Sequence, residues 1–391
     1  MNFKKISFFI VSFLMTLQFA NANLSISPLK HEFNVNPGET KSELIRVTNN
    51  DNSPITLYTS KEDFIAGDET GTPSFIKPKD KKNDEFSLSN WIKLENETIT
   101  LAKGETREVR FTVNVPANGE PGGHYGAIFF SPGAPSGAQV AVVQRLGVLV
   151  LINVSGDLKI EGNLTDFAVG AIKDKKFESA STFGNFPITF QTKFSNDGNV
   201  HIKPTGKIVL TDENGNELKN VGKESLVNPN GAFIGEKLVD YIPVNDSLGN
   251  VLPKSIRKFE SIWEGFGYQE LKEDGTKIVK FKNISDFYKD KKVENKEYLN
   301  FWETVKTRKT DKKITAKLEL NYEGKDKIKK TFTDSKVITV SFDETYVGIS
   351  LWIIGAIIIV LLAGIYYFIV LKPQLSEKLK ARLREEIRNQ K

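Results

Sequence analysis

Short segments in which apolar and polar residues alternate, separated by turn-forming clusters, recur along most of this sequence. In SELIRVTN (42–49), which lies between the turn clusters NPGET and NNDNSP, the alternation places Ile45 and Val47 on one face and Leu44 on the other. Residues 91–116 supply three more segments of this kind. Strands separated by turn signals at intervals of about 8–12 residues are typical of an all-β sandwich.

The pattern of the first segments returns in the second half of the body. TKFSNDGNVHI, within residues 186–218, parallels IRVTNNDNSPI, because both consist of a strand, an Asn/Asp-rich turn and another strand. An Asn-Gly hairpin turn follows, and residues 251–265 and 314–342 supply closing strands. The sequence therefore predicts an all-β fold with two immunoglobulin-like β-sandwiches, the second carrying an insertion near 265–313.

The uncharged run VGISLWIIGAIIIVLLAGIYYFIVL (347–371) is 25 residues long. At about 1.5 Å per residue it can cross a hydrocarbon core of about 30 Å, so we expect a single transmembrane helix. The tail 372–391 has seven Lys/Arg against three Glu and is expected to stay in the cytoplasm, with the N-terminal body outside the cell. It is either an amphipathic helix on anionic lipid or a simple stop-transfer segment.

The first 22 residues have a Lys4-Lys5 start, an apolar stretch and a final Ala-Asn-Ala. This pattern predicts a secretory signal peptide, with an N-terminal membrane anchor as the alternative. The expected segments are the signal peptide 1–22, the first sandwich 23–160, the second sandwich 161–344, the membrane helix 347–371 and the tail 372–391.

Composition narrows the possible functions. The chain has no cysteine, which excludes cysteine nucleophiles, thiolate zinc sites and iron–sulfur clusters. Of the net charge of +5, the signal peptide contributes +2 and the tail +4, which leaves about −1 for the body. A body without a basic surplus gives no reason to expect nucleic-acid binding. We predict no metal and no cofactor, and the sequence does not predict the oligomeric state.

The stretch PGGHYGAIFF (121–130) holds one of only three histidines. No HExxH or GxSxG motif occurs, so we interpret His124 as part of a strand and not as a catalytic residue. Gly122 and Gly123 are expected to be structural, because glycine permits close backbone approaches. Tyr125 stands where a tyrosine corner would lie, and it is also predicted to be structural.

The insertion near 265–313 is rich in lysine and aromatic residues. Aromatic residues of this kind either pack on their own sandwich or anchor a protein partner, since Trp and Tyr are enriched at interface hot spots. The candidate partner-binding residues are Phe287, Tyr288, Tyr298, Phe301 and Trp302.

Two other functional classes are compatible with this sequence. A wall-processing enzyme would need two carboxylates about 5–10 Å apart beside a cleft. The acids available for that role are Asp63, Asp68, Glu69, Glu260 and Glu264. An assembly protein would instead pair its exposed strand edges with a partner, as pilus chaperones do.

The order of segments and the stretches SPLKHEFNVNPGETKSELIRVTNN (27–50) and EPGGHYGAIFF (120–130) carry a family resemblance. The chain resembles the WxL-interacting proteins of bacterial cell surfaces. The resemblance implies a peptidoglycan-binding, immunoglobulin-like first domain, a second domain that engages protein partners, and a membrane anchor. We therefore expect a non-enzymatic surface protein that binds the cell wall, another surface protein, or both. The resemblance does not extend to residues 265–313, and it assigns no binding residue.

Overall fold

The computed structural model describes residues 24–76, 87–132, 145–228, 233–288 and 303–389. It confirms the predicted fold class, a mostly β chain with sandwich-like sheets and one apolar helix near the C-terminus. The predicted signal peptide lies outside the described residues.

The first sandwich is built from ten strands and one short helix. They are β1 Leu24–Ser27, β2 Lys30–Val35, β3 Thr40–Asn49, β4 Ile55–Ala66, β5 Pro73–Ile76, α1 Leu88–Trp91, β6 Ile92–Leu94, β7 Thr98–Leu101, β8 Thr106–Asn114, β9 Gly122–Ser131 and β10 Leu146–Val154.

These strands form two facing sheets. One has the order β1-β3-β8-β6, and the other has the order β2-β10-β9-β4-β5 with β7 added to β4. The alternation predicted for β3 is present: Ile45 and Val47 are fully buried, whereas Leu44 is exposed. The same face of the neighbouring strand β8 contributes Phe111 to the core between the sheets. Burial of these alternate side chains drives the two sheets together.

The second sandwich is built from the remaining strands, and one short helix follows its β20–β21 hairpin. The elements are β11 Gly162–Lys173, β12 Lys176–Ser179, β13 Thr182–Phe183, β14 Ile188–Asn196, β15 Thr205–Thr211, β16 Gly222–Val227, β17 Phe233–Val239, β18 Ile242–Val244, β19 Ser255–Trp263, β20 Phe266–Leu271, β21 Lys277–Lys282, α2 Ile284–Phe287, β22 Glu303–Glu323 and β23 Lys329–Ile349.

Its two main sheets have the orders β12-β11-β14-β19 and β13-β23-β22-β15-β18. The hairpins β16–β17 and β20–β21 form separate two-stranded sheets. The core contains Phe190, Phe194 and Trp263, and the indole Nε1 of Trp263 donates to the Gly265 carbonyl at 2.9 Å.

Strands β22 and β23 form a hairpin of unusual length. Each has 21 residues, and the pairing runs from Glu323 and Lys329 at the turn to Glu303 and Ile349 at the open end. The described part of the predicted insertion near 265–313 contains β20, β21, α2 and the first residues of β22. Because β15 pairs with β22 only as far as Thr315, the open end continues as a two-stranded ribbon beyond the sandwich.

A continuous helical segment follows the ribbon. It consists of α3 Leu351–Tyr366, a π-helical turn Tyr367–Leu371 and α4 Lys372–Asn389. By length and composition, this is the one segment of the described chain that could cross a membrane as a helix. Its side chains are almost all exposed, which excludes the alternative of a core helix.

Candidate functional site

A polar groove of about 1100 Å³ opens along one side of the first sandwich. It lies where the edge strand β6 of one sheet meets β4 and β7 of the other. The residues that line it come from four separated stretches of the chain: Tyr58–Lys61, Asn90–Leu94, Glu97–Thr98 and Asn114 with Pro116.

Helix α1 forms one wall of the groove and is held there by a carboxylate. Asp63 of β4 accepts the backbone N–H of Ser89 at 2.7 Å and the hydroxyl of Ser87. These contacts satisfy donors at the helix N-terminus that the helix itself leaves free. Leu88 and Trp91 of α1 are buried in the sandwich core. Asp63, one of the five candidate acids, therefore positions the wall of the groove.

The ring of His124 packs against Trp91, which indicates a structural role for this histidine. The two rings lie 4.5 Å apart between centroids, and His124 Nε2 is 2.9 Å from the Glu120 carbonyl oxygen. His124 lies in β9, as predicted, with its ring held against the base of the groove wall. The pKa of His31, in contrast, is lowered by burial, and its ring meets Phe111 edge to face at 5.0 Å.

The rim of the groove offers polar groups of several kinds. Lys93, Glu97 and Asn114 are exposed. Thr59 and Lys61 tie the walls together, through Thr59 N–H to the Glu97 carbonyl at 2.9 Å and Lys61 Nζ to the Ile92 carbonyl. An ammonium, a carboxylate, an amide and nearby hydroxyls can together hydrogen-bond a ligand rich in hydroxyl and amide groups. Among the described residues, no group of three or more His, Asp and Glu could hold a metal ion.

A second polar cluster joins the two sandwiches. Glu32 of β2 accepts from His201 Nε2 at 2.9 Å and from Lys203 Nζ at 2.6 Å, and both donors belong to the second sandwich. The hydrogen bond from His201 and the nearby Lys203 hold the pKa of Glu32 far below its usual range. Lys193 of the second sandwich forms a further cross-junction ion pair with Glu69 at 2.8 Å. The relative position of the sandwiches is therefore fixed by specific contacts.

Gly122, Gly123 and Tyr125 lie at this same junction. The Gly123 N–H donates to the Asn199 carbonyl at 2.7 Å, and a β-carbon on Gly122 would meet that carbonyl oxygen at 2.9 Å. The Tyr125 hydroxyl lies 3.4 Å from His201 Nδ1, and burial raises its pKa. The comparison of Tyr125 with a tyrosine corner is therefore wrong, because its hydroxyl reaches the other sandwich.

The predicted partner-binding aromatics are only partly described. Phe287 is 47% exposed and stacks on Phe266 at 3.7 Å between centroids. Tyr288 instead packs on the second sandwich, stacked with Phe342 at 5.5 Å and with Lys312 Nζ 4.7 Å from its ring centroid. The other three candidates, Tyr298, Phe301 and Trp302, lie outside the described residues.

The remaining candidate acids are distributed over the surface. Asp68 accepts from the Thr70 hydroxyl at 2.6 Å, which lowers its pKa, and Glu260 pairs with Lys258 at 3.3 Å. Glu264 is exposed. Asp68 and Glu260 are therefore surface residues whose carboxylates bind partners close to them in the sequence.

These features define a class, a β-sandwich protein with a polar groove along its first sandwich. Residues 30–132 match the family described as "WxL Interacting Protein, peptidoglycan binding domain". The resemblance to WxL-interacting proteins is confirmed over this part of the chain, and every residue that lines the groove falls inside it. The family is a binding domain, not an enzymatic one.

Other comparisons give weaker similarity. No curated protein matches the chain. Among solved structures, the class 5 fimbriae chaperone CfaA is 16% identical over 66% of this chain and 99% of that chain, with a TM-score of 0.30. The Escherichia coli chaperone DraB is 11% identical over 67% and 96%, with a TM-score of 0.29. The Pseudomonas aeruginosa CupB2 chaperone is 10% identical over 66% and 98%, also with a TM-score of 0.29.

Proposed function

We propose that this chain is a non-enzymatic bacterial surface protein that binds peptidoglycan through the groove of its first sandwich. The observation that carries the proposal is the family match, because residues 30–132 contain all four stretches that line the groove. Peptidoglycan glycan strands and stem peptides present hydroxyl, amide and carboxylate groups, and Lys93, Glu97 and Asn114 complement such groups. A wet polar groove also suits a polymer that stays in contact with solvent.

The proposal includes an arrangement at the membrane. α3 and the π-helical turn would span the bilayer, the two sandwiches, 23–160 and 161–344, would lie outside the cell, and the basic tail would lie in the cytoplasm. The β22–β23 ribbon continues over seven residue steps from Phe342 to Ile349, which separates the second sandwich from α3 by about 23 Å. This separation supports an arrangement in which the groove of the first sandwich lies away from the membrane and closer to the cell wall.

The test is co-sedimentation of the full chain, held in lipid nanodiscs, with purified peptidoglycan sacculi. Saturable binding is expected for the wild type. Lys93→Ala and Asn114→Ala should each weaken binding by about fivefold to tenfold, the usual loss for one ligand hydrogen bond. Lys103→Ala and Asn52→Ala are matched controls, since both residues are exposed and lie outside the groove. Equal sedimentation of all four variants would place the binding surface elsewhere, and absence of sedimentation by the wild type would reject wall binding.

We further propose that the second sandwich contacts another surface protein. The specific observation is the exposed face of Phe287, whose other face stacks on Phe266. Partner capture from detergent extracts of the source cells, repeated with Phe287→Ala, tests this. Tyr268→Ala is a suitable control, because Tyr268 is a comparably exposed ring on the neighbouring strand β20.

A further inference from the structure

Helix α4 has an apolar stripe that nothing in the described chain covers. Leu375, Leu379, Leu383 and Ile387 follow at four-residue intervals and are between 51% and 64% exposed. Each four-residue step turns the direction of the side chain by about 40°, so the four side chains share a sector about 120° wide. The same sector includes Lys372, Ser376 and Glu386, near the two ends of the helix.

Charged residues flank this stripe on both sides. Lys378 and Arg382 lie on one side of the apolar sector, and Lys380 and Arg384 lie on the other. Over the whole of α4 there are six Lys/Arg and three Glu. An apolar face with basic flanks is the pattern of a helix that lies in a membrane interface and contacts anionic headgroups.

The spacing disfavours a second copy of the chain as the occupant of the stripe. A two-stranded coiled coil needs apolar residues at alternating steps of three and four, about 3.5 on average. Continuing from Leu375 and Leu379 in that rhythm brings Arg382, which lies outside the apolar sector, to the seam. With a steady four-residue period, successive apolar side chains point progressively further from a partner helix. All four still lie within about 60° of one direction, which suits contact with a flat surface.

The structure also provides a place for the chain to bend. Directly before α4, the π-helical turn closes with a hydrogen bond from the Lys372 N–H to the Tyr367 carbonyl. Pro373 then has no N–H to donate, and its ring opposes the carbonyl of Ile369. π-helical turns and prolines are the usual positions of helix kinks. Both lie where the apolar run ends.

We propose that α4 lies along the cytoplasmic surface of the membrane, with its apolar stripe in the acyl-chain boundary and its basic flanks on anionic lipid headgroups. The proposal rests on the membrane arrangement proposed above. Its partner is the headgroup layer of the inner leaflet, contacted immediately after the span.

The test uses the absence of cysteine from the chain, which allows single spin labels in the full protein. Leu383→Cys marks the stripe, Ala381→Cys marks the opposite face, and Ile358→Cys in α3 reports the span itself. In nanodiscs with anionic lipid, we expect the label at 383 to be accessible to oxygen and shielded from a water-soluble relaxant, with the reverse at 381. Lys380→Gln with Arg384→Gln should lower the ratio of bound to free helix roughly 10- to 30-fold, since each basic residue near the surface contributes a factor of about five.

Three results would overturn the proposal. Equal water exposure at 383 and 381 would show that α4 stands away from the bilayer. Spin–spin broadening between two labelled copies at 383 would identify a second chain as the occupant. Retention of the helix on purely zwitterionic discs would reject the headgroup contact. A label at 358 that is not in hydrocarbon would instead refute the membrane span, which separates failure of the anchor from failure of the tail proposal.

Discussion

His201 Nε2 lies 2.9 Å from Glu32 Oε1, across the junction between the two sandwiches. The His201 side chain is only 3% exposed, and the Glu32 carboxylate also accepts from Lys203. A partly buried carboxylate with two donors from the other sandwich links the stability of the junction to the charge of one residue.

The pH dependence of stability follows from this contact. The pKa of Glu32 in the folded chain is lowered, chiefly by the hydrogen bond from His201, so the folded state binds its proton less readily than the unfolded state. The contribution is complete above the unfolded pKa of about 4.3 and is lost as the pH falls below it. We expect Glu32→Gln to lower the free energy of unfolding at pH 7 by about 1–2 kcal/mol and to flatten the decline in acid.

Denaturant titrations at several pH values between 7 and 3 measure this effect. Glu108→Gln is the control, because the Arg46–Glu108 pair is exposed on both sides and should contribute little. Parallel pH profiles for the wild type and Glu32→Gln would contradict the assignment.

The close approach at Gly123 predicts a steric effect. A β-carbon there would lie 2.0 Å from the Tyr125 hydroxyl oxygen and 2.7 Å from its ring carbon Cζ. Gly123→Ala should therefore destabilise the protein by about 1–3 kcal/mol, the usual range for overpacking. Adding Tyr125→Phe should restore part of the loss by removing the hydroxyl. Gly184→Ala is the control, as nothing lies within 4 Å of that position. Thermal unfolding of the three variants and the double mutant measures the coupling, and additive losses would exclude the proposed clash.

The groove wall should depend on Asp63. Removing its carboxylate in Asp63→Ala leaves the Ser89 N–H without its acceptor and loosens α1. We expect a loss of about 0.5–2 kcal/mol in stability, as for other helix-terminus contacts, together with weaker binding to sacculi. Glu108→Ala, at an exposed position on strand β8 of the same sandwich, should change neither quantity by a comparable amount. Unchanged sedimentation by Asp63→Ala would argue that α1 does not shape the binding surface.

The buried carboxylate of Glu62 tests the geometry of the first sandwich. Arg145 contacts Glu62 through both terminal nitrogens, at 2.7 and 3.2 Å, and its guanidinium lies 3.8 Å from the Phe129 ring centroid. Lysine can reproduce neither the paired hydrogen bonds nor the planar stacking. Arg145→Lys should cost about 1–3 kcal/mol, whereas Arg110→Lys on strand β8 should cost less than about 0.5 kcal/mol. Chemical denaturation compares the two, and a similar cost for both would contradict a specific role for the Arg145 pair.

Local patterns in the sequence determined the class of fold. The alternation around Ile45, Val47 and Leu44 gave their burial correctly, because a strand with one buried face must repeat every two residues. The membrane-length helix could also be recognised from the sequence, because its long uncharged apolar run is distinctive by itself. Residues 303–313 show no apolar alternation, because this end of β22 belongs to an exposed ribbon without a buried face.

The functional geometry depended on tertiary structure. Glu32 and His201 are 169 residues apart in the chain, and the groove combines four stretches that no spacing rule connects. The direction of the Tyr125 hydroxyl was equally hidden, because it depends on how the second sandwich docks against β9. Sequence periodicity reports which face of a strand is buried, and it carries no information about which distant strand provides the covering surface. The fold class was therefore determined by local sequence, whereas the groove and the junction were decided by long-range packing.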